Sequence, residues 1–204
     1  MKKIISLIIS IISFASASNV PAKACCLADE GRWEEYIRMP SEFEISELKS
    51  LRFGSIAVTL GWGGQDVIRL DGKAKDLSGH YNVAVEHHEQ EWVFKFEGSD
   101  GSKGTLRLQL PREWAFFSVD TGNNAEQGIP ILYKEVRLEG KLNGYGIFAK
   151  DITADTTFRL IFQGRGNICF KGDDFKSWIL QVEGRDPYHK DIRTVYYYFY
   201  GGLR

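Results

Sequence analysis

The sequence predicts an all-β chain: an antiparallel β-sandwich, jelly-roll-like, with hairpin connections and at most one short helix near 41–51. A lipocalin-like closed barrel is the alternative. Three observations carry this reading. Apolar and polar residues alternate with period two in runs that recur from Leu51 onward, separated by clusters of Gly, Asp, Asn and Ser, as expected of half-buried strands and their turns. The chain holds 13 Phe, 9 Tyr and 5 Trp, and aromatic side chains favour pleated surfaces. It also holds 21 Gly and few long Ala, Leu or Glu runs, which supplies turns rather than helices.

Lys2 and Lys3 precede an apolar run from Ile4 to Phe14, and two small-x-small sites follow at Ala15-Ser16-Ala17 and Ala22-Lys23-Ala24. This is the grammar of a secretory signal peptide. We expect residues 1–24 to be the leader, with cleavage after Ala17 as the alternative, and residues 25–204 to form a single exported domain, periplasmic or extracellular. The apolar run is shorter than the roughly 20 residues a membrane-spanning helix needs, and no later run approaches that length, so no transmembrane segment is expected. Lys23 departs from the small-residue approach to a lipid-modified cysteine, so no lipid anchor is expected at Cys25.

Export makes the three cysteines disulfide material. Adjacent Cα atoms lie about 3.8 Å apart, closer than the roughly 4.4 Å minimum usual for a bridge. Cys25 and Cys26 are therefore not expected to pair with each other. Cys169 is expected to pair with Cys25 or Cys26, leaving one thiol over.

The helical signal spans Ser41 to Leu51. Ser41 and Glu44 resemble a capping box after Pro40, and Phe43, Ile45, Leu48 and Leu51 follow roughly helical spacing. The core is expected from four alternating runs: Trp92, Phe94 and Phe96; Leu106, Leu108 and Leu110; Phe158, Leu160 and Phe162; Trp178, Leu180 and Val182. Tight connections are expected at Asp71-Gly72, Gly98 to Gly104, Asn143-Gly144 and Gly164 to Gly166.

Composition and missing motifs exclude several functions. With 26 Lys+Arg against 27 Asp+Glu, the chain has no electrostatic footprint for a nucleic-acid backbone. It lacks the zinc-helix, phosphate-loop, serine-elbow and calcium-loop patterns. Gly144 to Ala149 spells Gly-x-Gly-x-x-Ala without the helix that would hold a pyrophosphate. No cofactor and no metal are expected.

The densest polar cluster is Glu86-His87-His88-Glu89-Gln90-Glu91. On a strand Glu86 and His88 share a face about 7 Å apart, close enough to form an acid/base pair or to share an ion if a third group came from a neighbouring strand. A solvated strand end leading into a polar hairpin is the simpler explanation of the cluster. Two aromatic features offer ligand-binding surface: Trp62 between small residues, and Tyr196, Tyr198 and Tyr200 on one face of the terminal strand. Gln163-Gly164-Arg165-Gly166-Asn167 could hold an anion in a backbone nest. Lys171-Gly172-Asp173-Asp174 offers two adjacent carboxylates, a weak calcium pattern.

The leading expectation is a non-enzymatic exported sandwich that binds a glycan or another cell-envelope component through Trp62 and the tyrosine strand. The alternatives are a polysaccharide-active enzyme using Glu86 and His88, and an inhibitor or immunity-type protein that docks an envelope protein through loops such as Thr121 to Gly128.

Overall fold

The computed structural model describes residues 33–59, 79–98, 100–120, 132–167, 169–185 and 193–204. Residues 1–24 expected to be the leader, Cys25, Cys26, Trp62, Asp71-Gly72 and the loop 121–128 lie outside the described residues. The elements are β1 (Trp33–Arg38), α1 (Glu42–Ser50), β2 (Phe53–Thr59), β3 (Gly79–His87), β4 (Glu91–Gly98), β5 (Lys103–Gln109), β6 (Trp114–Asp120), β7 (Leu132–Gly146), β8 (Thr157–Gly166), β9 (Phe175–Arg185) and β10 (Arg193–Leu203). A short 3-10 turn, Gly172–Asp174, precedes β9.

All pairings are antiparallel within one ten-stranded sheet of order β1-β6-β7-β5-β4-β3-β2-β10-β9-β8, with a further ladder between β7 and β8. Hairpin neighbours pair, so the connections follow a meander. β5 pairs with the second half of β7, Leu106 lying opposite Gly144, and β6 pairs with the first half, Phe116 lying opposite Val136. β1 then adds to β6, with Tyr36 opposite Phe116.

The sheet folds over so that two layers face each other. Rings of β4 meet rings of β8, β9 and β10 across the middle: Trp92 lies 5.9 Å from Phe162, Phe94 5.7 Å from Trp178, and Phe96 4.7 Å from Phe199, centroid to centroid. The sheet with this filled interior is an all-β, sandwich-like fold. Each buried ring contributes about 1.5–3 kcal/mol of hydrophobic stabilisation, so the inward parity of each strand is set by where its rings fall. Eleven of the twelve residues expected in the core belong to one buried cluster, and Leu110 packs against it half-buried.

The helix expected from the capping box is α1. The Ser41 hydroxyl accepts the Glu44 amide at 3.3 Å, and the Glu44 carboxylate accepts the Ser41 amide at 2.8 Å. Nine residues are too few for a helix to stand alone in water. Leu48 and Leu51 anchor it in the core with Ile45 packed beside them, while Phe43 points outward.

Two turn expectations need correction. The connection at Gly98 to Gly104 is a tight turn with Gly101 at φ +80°, but Asn143-Gly144 lies within β7 and Gly164 to Gly166 within β8. Glycine is required there by close approach rather than by chain reversal. A Cβ on Gly144 would overlap Ile152, and one on Gly166 would overlap the Asp174 carboxylate.

Candidate functional site

Glu86 and His88 sit on the outer face at the β3–β4 hairpin, both exposed. They border a depression of about 480 Å³ shared with Lys95, Arg107 and Tyr145. Glu86 ion-pairs with Lys95, and that contact chiefly holds its carboxyl below the usual carboxylate range. Arg107 pairs with Glu91 at 3.1 Å. A general acid needs a carboxyl held protonated, whereas Glu86 is kept ionised and faces cations. Among the described residues no three His, Cys, Asp or Glu side chains converge to hold a metal ion. His87 points the other way, against Trp92 with ring centroids 4.5 Å apart.

The tyrosine strand divides by parity as expected from its alternation. Tyr197 and Phe199 face the core, and the Tyr197 hydroxyl donates to Asp151. Burial first, and then that carboxylate, push the Tyr197 hydroxyl pKa far above its usual value. Tyr198 and Tyr200 face outward with ring centroids 5.9 Å apart, and Tyr200 is 42% exposed. They border a shallow depression of about 380 Å³ with Gln163, Ser177 and Ile179. Tyr196 lies at a register shift between β10 and β9, and its side chain, like Trp62, lies outside the described residues.

Beside this depression runs a polar network that the sequence did not reveal. Glu135 on β7 is 6% exposed, yet its carboxylate accepts from the Tyr133 hydroxyl, from Gln163 Nε2 at 2.9 Å and from Arg137 Nε at 2.7 Å. Burial opposes its ionisation, but these donors outweigh burial and leave its pKa below the usual range. Arg137 also stacks over Phe117, 3.9 Å from the ring centroid.

On the opposite face of β7 lies Lys134, 7% exposed, which donates to Asp174 Oδ2 and to the Cys169 carbonyl, each at 2.7 Å. It borders a cleft of about 400 Å³ between β1, β6, β7 and the segment leading into β9. A signal for Lys134 was present in the sequence: it occupies the inward parity of Leu132, Val136 and Leu138, where a charge needs a buried partner. That partner is 40 residues away in sequence, so the alternation alone does not identify it.

Two further expectations are resolved by position. The glycines of Gln163-Gly164-Arg165-Gly166-Asn167 are covered by the chain's own Asp174, so the segment is not an open anion nest. Asp174 of the Lys171-Gly172-Asp173-Asp174 segment is committed to Lys134. Cys169 is exposed between β8 and β9, and no disulfide is present among the described residues, its expected partners Cys25 and Cys26 lying outside them. Among the described residues no helix is long and apolar enough to cross a membrane. No known protein family, curated protein or solved structure matches this chain.

Proposed function

We propose that this protein is an exported, non-enzymatic binding module that takes a glycan or another cell-envelope component on the outer face of β8, β9 and β10. The observation that carries this reading is the outward Tyr198–Tyr200 pair beside Gln163 and Ser177. Sugar rings present apolar C–H faces that lie on aromatic rings and hydroxyls that need polar partners at the edge. Both amide protons of Gln163 are used, by Tyr133 and Glu135, which fixes the side chain and leaves its carbonyl oxygen as an acceptor. Ser177, directly opposite Gln163 in the β8–β9 ladder, adds a hydroxyl to the same depression. A platform so anchored loses little rotamer freedom on binding.

The experiment is a titration of envelope polysaccharides and their oligosaccharides against the wild-type chain and against Tyr198→Ala and Tyr200→Ala. The expected result is saturable binding weakened at least about tenfold, or roughly 1.4 kcal/mol, by each substitution, with unchanged thermal midpoint. Binding that both substitutions leave untouched would overturn the assignment of this face.

A further inference from the structure

We propose that the cleft beside Lys134 is a second binding site, for a small uncharged molecule with a flat apolar body and one carbonyl-type oxygen. It is separate from the tyrosine face and does not rest on it. β6 pairs with the first half of β7, β5 with the second half, and β1 adds to β6; the cleft lies against β1, β6 and the first half of β7, with the segment that leads into β9 on its border. The walls are apolar, with Phe116, Phe170, Phe175, Leu132 and Val136 among the lining residues. A cleft of about 400 Å³ is within the range that takes a small organic ligand.

Lys134 decides the chemistry. An ammonium carries three donors, and two of them reach Asp174 and the Cys169 carbonyl. The third has no acceptor among the described residues, although the side chain is nine-tenths buried. A buried donor without a partner is costly, and a ligand oxygen in the cleft satisfies it.

The charges around the cleft select a neutral ligand. Lys134 is balanced by Asp174, and Arg38 by a bidentate contact to Glu44 at 2.8 and 2.6 Å. Glu34 on the rim accepts from the Tyr36 hydroxyl. An anion on Lys134 would share the ammonium with the Asp174 carboxylate and meet Glu34 at the rim, while a cation would face the ammonium itself. A ketone, ester or amide oxygen avoids both repulsions.

The test uses three probes on one naphthalene body that differ only in the group at position 2: naphthalene, the uncharged ketone 2-acetonaphthone, and 2-naphthoate. Binding is followed by fluorescence and calorimetry on the wild-type chain, on Lys134→Met/Asp174→Asn, and on Ser118→Trp, which fills the cleft from β6 at the position directly opposite Lys134. The expected result is 2-acetonaphthone binding at least about tenfold tighter than naphthalene or 2-naphthoate. Lys134→Met/Asp174→Asn removes that preference while naphthalene binding stays, and Ser118→Trp abolishes binding of all three. Near-ultraviolet circular dichroism confirms that each variant is folded. Absence of binding by any probe, tighter binding of naphthoate, or a ketone preference that survives loss of the ammonium overturns the proposal.

Discussion

Substituting Gly166 by alanine tests how the segment before β9 is held on the sheet. A Cβ at Gly166 would overlap the Asp174 carboxylate, whereas a Cβ at the neighbouring Gly164 would overlap the Asp174 backbone carbonyl. Relief at Gly166 therefore requires the Asp174 side chain to swing away from Lys134, from which it now stands 2.7 Å. Overpacking costs about 1–3 kcal/mol, and removing one partner of a fully buried ion pair about 3–5 kcal/mol. Because the Asp174 side chain keeps 16% exposure, the displaced carboxylate regains some solvation, and we expect Gly166→Ala to cost about 3 kcal/mol in all.

The same substitution in a Lys134→Met/Asp174→Ala background should cost nothing, or stabilise by about 0.5 kcal/mol through reduced unfolded-state freedom. Gly164→Ala should cost at least about 2 kcal/mol in both backgrounds, because the backbone it meets is still there. Urea unfolding with a common m-value reads all five variants. The reasoning is refuted if Gly166→Ala costs as much without the Asp174 carboxylate as with it, or if removing that carboxylate rescues Gly164→Ala equally.

Two further outcomes are expected. Burial first, then Lys49 of α1 and His88, hold the His87 imidazole below its ordinary pKa, so near pH 6.5 the unfolded chain binds more protons than the folded one. Stability therefore falls as pH drops through that window, and His87→Phe should flatten the urea midpoint between about pH 7.5 and 5; an unchanged slope in that variant would assign the acid sensitivity elsewhere. Ser41→Ala removes the helix cap and should lower stability by about 1 kcal/mol, measured by the same unfolding assay, and a change below 0.3 kcal/mol, roughly the error of such a comparison, would deny the cap any weight.

The elements whose information is local were legible in the sequence. The capping box of Ser41 and Glu44, the four core runs and the inward Tyr197 and Phe199 are each written in spacing that a single helix or strand imposes on its own residues. The shared face of Glu86 and His88 also followed from parity, and both residues are exposed on it. What parity could not supply was the opposite bank of that face, which the pairing of β3 with β4 and β4 with β5 fills with Lys95 and Arg107.

The turn readings failed, and the polar pairings went unread, where a local pattern had a distant cause. Gly164 and Gly166 look like turn residues, yet they are glycines because Asp174 crosses over them. Lys134 breaks an apolar alternation, and its partners, Asp174 and the Cys169 carbonyl, reach it only when β7 and the segment before β9 are brought together. Glu135 becomes a buried carboxylate only because β8 supplies Gln163 from the next strand. The sequence alone determined the four alternating core runs, the capped helix and the burial of their rings, since secondary-structure periodicity and hydrophobic burial act over a few neighbouring positions. The tertiary structure decided which polar groups meet, because that depends on strand register and on which layer covers which, and these are fixed only when the whole sandwich closes over its rings.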